Sequence, residues 1–345
     1  MFVWIILLLI GNTSMAQSIQ DYINDAVTVG NEGDYNRVIF DLSQVIKMDS
    51  TMANAYMYRG FARNNLGDYN NGLSDLNKAV SLGLRDSLLY LDKGHANFKL
   101  GNYEKSILDL DTAIKISPDY AEAYNYRGTV YGTLNKYSEA LDDLNKAIQL
   151  SPNTDSYYNC RAVLYTQLNK NQEAIEDCNT AIKLWPQTGD FFITRGIAES
   201  NLGDYKNAIM DINEAIRLNP SSAEAFYNRG VIEHRMKNID AALKDFNKAI
   251  KLKPDFVDAY TNRSAMNSIL TQYKDALVDI NIAIKLNPRS AINYNDRANI
   301  YTDLSKFNEA VSDCDTAIKL DPQYSEAHNT KAVAQNMLGN YQDAL

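Results

Sequence analysis

A motif built on an Arg-Gly pair and a later Asp-Leu-Asn-Lys-Ala returns every 34 residues along this chain without one insertion or deletion. A fixed period of that length constrains the fold more than any other feature, because each period is one supersecondary unit and equal units stack in a row. With register 1 at Ile19, the units begin at Ile19, Ala53, Ser87, Ala121, Asp155, Gly189, Ala223, Val257, Ala291 and Ser325, the last incomplete at Leu345.

Within a unit, registers 4, 8 and 11 and registers 17, 20, 24 and 27 show the three-to-four spacing of two apolar helix stripes. Register 4 is aromatic (Tyr22, Tyr124, Phe192, Tyr260 and others; His328 in the last unit), register 8 is always small, and register 27 is Ala in every complete unit after the first. Gly or Asn at register 15 (Gly33, Gly67, Gly101, Asn135, Asn169, Gly203, Gly339) suits a left-handed cap ending the first helix. Every proline, from Pro118 to Pro322, stands at register 32 and stops the second helix. One helix pair cannot bury both stripes, so neighbouring pairs supply the core.

Aromatic at 4, Gly or Ala at 8, Tyr at 11 or 17, Ala at 20 and 27 and Pro at 32 resemble the tetratricopeptide repeat over residues 19–345. The resemblance implies an all-α fold, a right-handed α-solenoid superhelix of antiparallel helix pairs. It also implies a concave groove, lined mainly by first helices, that binds peptides or partner proteins. It implies no enzyme and no cofactor.

The remaining composition narrows the partners. With 34 Lys+Arg against 43 Asp+Glu the net charge is −9, so the electrostatic footing for a phosphate backbone is absent and no nucleic acid is expected. Cys160, Cys178 and Cys314 lack metal or disulfide-framework spacing, and Cys178 and Cys314 fall on core registers. The histidines, His95, His234 and His328, lie in different units. Asp-x-Asn or Asp-x-Asp at registers 23 and 25 (Asp75/Asn77, Asp109/Asp111, Asp313/Asp315) resembles the start of a calcium loop but lacks its Gly turn and trailing Glu, so no metal is expected. Of 23 tyrosines, 17 occupy registers 4, 11 or 17, which makes them core rather than a stacking platform.

Residues Phe2 to Ile10 are an unbroken apolar run, too short to span a bilayer, followed by a small-x-small site ending at Ala16. Residues 1–16 therefore read as a signal peptide and 17–345 as the exported solenoid, periplasmic or secreted. No basic residue precedes the run, so a membrane tether by an uncleaved segment is the alternative.

The groove is expected at registers 2, 5, 9, 12 and 13 of the first helices. Register 5 carries no Lys or Arg, which disfavours the basic clamp with which related domains grip the acidic C-terminus of cytosolic chaperones. Asn125, Asn159, Asn295 and Asn329 at register 5, with Thr129, Tyr227 and Asn299, are the candidate peptide-binding residues, since an amide offers both donor and acceptor to an extended backbone. Asparagine ladders of this kind also look like those of protein O-glycosyltransferases. Two functions follow: a non-enzymatic scaffold for a peptide or protein, or the recognition arm of a larger enzyme or sensor.

Asp occupies register 23 in every complete unit, and Arg or Lys occupies register 7 in all units but the first, which has Asp25. Pairing register 23 with register 7 of the next unit leaves no like-charge clash, so an inter-unit ladder is expected: Asp41–Arg59, Asp143–Arg161, Asp177–Arg195, Asp211–Arg229. Pairing within a unit would set Asp25 against Asp41.

Overall fold

A computed structural model describes residues 14–339. Among them are nineteen α-helices and no strand. In chain order the repeats are α1 (Ser14–Asn31) with α2 (Tyr35–Met48), α3 (Ala53–Asn65) with α4 (Tyr69–Ser81), α5 (Ser87–Lys99) with α6 (Tyr103–Ile116), and α7 (Ala121–Thr133) with α8 (Tyr137–Leu150). Then come α9 (Asp155–Gln167) with α10 (Asn171–Leu184), α11 (Gly189–Asn201) with α12 (Tyr205–Leu218), and α13 (Ala223–Arg235) with α14 (Ile239–Leu252). The last are α15 (Val257–Ile269) with α16 (Tyr273–Leu286), α17 (Ala291–Asp303) with α18 (Phe307–Leu320), and α19 (Ser325–Met337). The apolar run of the expected leader and the second helix of the last repeat lie outside the described residues. The expected cleavage point after Ala16 falls in the first turn of α1. No helix among the described residues is long and apolar enough to cross a membrane.

The helix ends are set by the predicted residues. At register 15 the backbone is left-handed throughout, at Gly67 (φ 80°) and Asn135 (φ 59°) as expected, and also at Lys237, Thr271 and Ser305 (φ 65°, 59° and 58°). There the amide of Gly67 donates to Asn64 O at 3.0 Å and that of Asp68 to Arg63 O at 2.9 Å, which satisfies carbonyls the helix end would leave orphaned. At the other end, Ser117 turns extended before Pro118 and its amide closes on Ala113 O at 2.9 Å. The second repeat has no proline; Gly83 (φ 92°) ends α4 instead.

Between the two helices of a repeat, the large residue at register 24 seats on the small one at register 8. A Cβ on Gly94 would stand 2.6 Å from Leu110 Cγ, and one on Gly230 2.7 Å from Phe246 Cε1, so the fully buried Leu110 and Phe246 need those glycines. Cys178 and Cys314 take the same register, free and buried; burial pushes their thiols up to about 12 and about 11, which makes them inert packing groups.

The helices gather into two compact units that divide between Leu164 and Tyr165, inside α9. In each unit a second helix packs on the next first helix, α4 on α5 and α12 on α13 for example. Consecutive first helices also touch (α3 with α5, α5 with α7; α11 with α13, α15 with α17), whereas consecutive second helices stand farther apart. Within each unit the stack therefore curves with its first helices on the inner side.

Candidate functional site

The charged registers fix where the first helices lie. Arg127 Nε and Nη2 each donate to one oxygen of Asp143, both at 2.7 Å, a fork that joins the two helices of a single repeat. The same fork joins Arg59 to Asp75 (2.8 and 2.7 Å), Arg195 to Asp211 (2.6 and 2.7 Å) and Arg229 to Asp245 (2.7 and 2.7 Å). The third nitrogen, Nη1, crosses to register 25 of the repeat before: to Asp111 from Arg127 at 2.6 Å, to Asn145 from Arg161 at 2.5 Å, to Asn179 from Arg195 at 2.6 Å and to Asn213 from Arg229 at 2.7 Å. Each guanidinium also lies over the register-4 ring of its own repeat, 5.5 Å from Tyr124 for Arg127 and 5.5 Å from Phe192 for Arg195.

This geometry corrects the expected ladder. Asp143 is held by Arg127, not Arg161; Asp211 is held by Arg195, not Arg229; Arg195 does not reach back to Asp177; and Arg59 forks Asp75 rather than Asp41. The inter-repeat link is real, but it runs through register 25, so the Asp-x-Asn pattern serves two arginines: one of its own repeat and one of the next. The clash that argued against pairing within a repeat is removed by Arg37, which donates to Asp25 Oδ2 at 2.8 Å and to Asp41 Oδ2 at 3.0 Å. Asp41 is fully buried, and burial outweighs Arg37, holding its carboxyl above the ordinary range.

The expected groove residues divide into three groups. Asn125 and Asn159 are half-buried between consecutive first helices, each with a buried Oδ1 that has no hydrogen-bond partner. Thr129 donates its hydroxyl to Asn125 O at 2.9 Å, and the side chains of both bear on the Cys160 thiol, which burial pushes up. Asn295 is buried, its Oδ1 without a hydrogen-bond partner, and its side chain bears on Tyr324. Asn299 and Asn329 are exposed, and Asn299 Oδ1 accepts from Thr330 Oγ1 at 3.1 Å. Tyr227 is a core residue: its ring centroid lies 4.9 Å from that of Phe256, and its hydroxyl accepts from Asn262 Nδ2 at 3.2 Å. Apart from the exposed Asn329, the register-5 amides are thus covered rather than an open row. The open inner positions are at registers 2 and 9, where Val163, Ile292 and Val333 are exposed.

The first helices carry unmet polar groups. Among the described residues, nine of the ten buried side-chain atoms without a hydrogen-bond partner lie on first helices, including Asp92 Oδ2 of α5, His234 Nδ1 of α13 and Ser268 Oγ of α15. Two of the nine turn toward second helices, Asn64 Oδ1 against Gly72 of α4 and Glu199 beside Asp211 of α12, and the others are unmet within the chain. Asp92, at register 6, is a residue the groove pattern missed. By contrast, an open cleft of about 330 Å³ between α4, α5 and α6 has its own polar groups already joined: Lys93 Nζ to Asp109 at 3.0 Å and Asn97 Nδ2 to Asp109 at 2.8 Å. No group of His, Cys, Asp and Glu among the described residues could hold a metal ion.

Family models described as "Tetratricopeptide repeat" match residues 121–154, 155–188, 223–256, 291–324 and 314–345, and one described as "TPR repeat" matches 94–135 and 196–237. No curated protein matches the sequence. Among solved structures, a chain of the APC/C hetero-tetramer Cut9–Hcn1 is 16% identical over 86% of this chain, with a TM-score of 0.63; the match spans 59% of that longer chain. A tetratricopeptide repeat protein from Parabacteroides merdae ATCC 43184 is 19% identical over 76% of this chain and 99% of its own, with a TM-score of 0.59. At these identities the structures speak for the fold alone, and the family models, which together match 94–188, 196–256 and 291–345, carry the family. The chain belongs to the tetratricopeptide-repeat family.

Proposed function

We propose that this chain is an interaction scaffold that holds an extended segment of a partner protein against the inner, first-helix face of its repeats. The observation that carries the reading is the gathering of unpartnered buried polar atoms on first helices, from Asp92 of α5 to Asn295 of α17. An extended segment presents unpaired backbone donors and acceptors at regular spacing, the complement that such a face lacks. The exposed apolar residues between them, Val163, Ile292 and Val333, would cover its side chains.

Blocked, unstructured peptides test this reading: one acidic, one neutral and one basic, followed by fluorescence anisotropy with the full chain. Saturable binding of at least one, weakened about tenfold by Val163→Trp together with Asn299→Trp, supports it. Binding of none at about 1 mM peptide, or binding that ignores both substitutions, contradicts it. We further propose that the chain works outside the cytoplasm, a reading that rests on the sequence of residues 1–16.

A further inference from the structure

One combination of residues occurs twice along the repeats and nowhere else in the chain. Register 6 is an acid only at Asp92 and Asp296; register 34 is a tyrosine only at Tyr120 and Tyr324; and register 2 of the following repeat is glutamate in both cases, Glu122 and Glu326. Glutamate at register 2 recurs at Glu224 without the other two, so the coincidence is of three positions rather than one. Each compact unit contains one set.

In the first set, Asp92 is 6% exposed on α5, and its Oδ2 has no hydrogen-bond partner. The charges that bear on it are those of Glu122 and Asp86, both negative. Asp86 is engaged as the cap of α5, accepting from the amides of Leu88 at 2.8 Å and Leu89 at 3.3 Å. The charges of Asp92 and Glu122 bear on Tyr120 and Tyr126 and that of Asp86 on Tyr58, three half-buried tyrosines packed against one core cluster. Glu122 is exposed, yet poor solvation raises its carboxyl above the ordinary range. In the second set the charges of Asp296 and Glu326 bear on Tyr324, the half-buried Asp296 is pushed up to about 6 by burial, and the Oδ1 of the adjoining Asn295 is buried without a partner.

A carboxylate stripped of water, as Asp296 is, and at Asp92 crowded by Glu122 and Asp86 as well, opposes folding unless a proton or a cation joins it. Tyrosine faces add to the attraction for a cation that arrives between them. Metal is disfavoured, since neither set forms a ligand cluster. A basic side chain satisfies the chemistry of each recess taken by itself.

We propose that the recesses Asp92–Tyr120–Glu122 and Asp296–Tyr324–Glu326 each receive the cationic head group of an arginine or lysine side chain from the bound partner segment. This inference rests on the scaffold reading above and specifies its ligand as basic.

The test compares two blocked, fluorescein-labelled peptides of alternating glycine, serine and arginine, identical except that one carries citrulline in place of every arginine. Citrulline keeps the shape and removes the charge. The arginine peptide is expected to bind the full chain at least about tenfold more tightly. Asp92→Asn with Asp296→Asn should abolish the preference, and the exposed Glu122→Gln should reduce it about threefold with the unfolding temperature unchanged, which separates the effect from misfolding. Equal binding of the two peptides, or a preference that survives these substitutions, overturns the basic-ligand inference while leaving the scaffold reading intact. Binding of free spermidine without binding of the arginine peptide overturns the peptide as the source of the cation. Failure of the acidic, neutral and basic peptides alike removes both readings.

Discussion

Arg127 holds Asp143 through two parallel hydrogen bonds of 2.7 Å inside one repeat, while its remaining nitrogen reaches Asp111 of the repeat before at 2.6 Å. One guanidinium thus sets both the angle within a helix pair and the step to its neighbour. Arginine suits the task better than lysine, because its planar guanidinium grips one carboxylate with a two-pronged fork and keeps a nitrogen pointing the other way for a second side chain.

Charge reversal separates the two ways of pairing. Asp143→Arg should cost about 3 to 5 kcal/mol of unfolding free energy, because Arg127 is left half-buried beside a like charge. Adding Arg127→Asp should recover about 1 to 3 kcal/mol, and adding Arg161→Asp should recover none. Denaturant unfolding of the four chains checks it.

Thr271 holds a left-handed backbone (φ 59°) at a cap where other repeats have glycine. A β-branched residue there is strained, so Thr271→Gly should raise stability by about 1 kcal/mol, read as a higher denaturant midpoint at unchanged slope.

Much of this architecture is legible in the sequence, and the reasons differ by feature. The period, the two helices, Gly67 or Asn135 at the cap and Pro118 after the second helix are local rules that repeat, so each position is read many times over. The direction of the ion pairs was not legible, because the deciding residue does not repeat. Arg37 relieves Asp25 and Asp41, and register 19 holds Asn71, Lys105 or Glu139 elsewhere. Register 25 was legible only as a discarded calcium resemblance, since its acceptors become meaningful once Arg127 is seen to have a free nitrogen. Register 5 misled for a geometric reason: Asn125 and Asn295 lie where first helices touch, so their amides turn toward Cys160 and Tyr324 rather than outward. The Asp92 recess was visible in principle as an acid at a register otherwise filled by neutral residues.

Glu199 of α11 links stability to pH. Burial, helped by Asp211, raises its carboxyl to about 7 against an opposing pull from Arg195, and its Oε2 has no hydrogen-bond partner. The fold keeps a proton that the unfolded chain has released, so stability falls as pH rises from the ordinary glutamate value of about 4.3 to about 7, and is level above that. Glu199→Gln should flatten this window and raise stability at neutral pH by about 1 to 2 kcal/mol once solvent screening is allowed. Urea midpoints measured across the window check both statements.

The export reading predicts a mature chain that begins at Gln17. Intact-mass measurement of the exported protein should find residues 1–16 gone; a full-length mass on a cytoplasmic product would contradict the reading.

Hydrogen–deuterium exchange of the full chain with and without a saturating basic peptide tests the central claim most directly, because it reports which helices a bound segment covers. The account predicts slowed exchange on the first helices, α5 and α7 around Asp92 and Glu122 and α17 and α19 around Asp296 and Glu326, with α4, α6 and α18 unchanged. Protection falling on the second helices, or on the outer cleft beside Lys93 and Asp109, would contradict it.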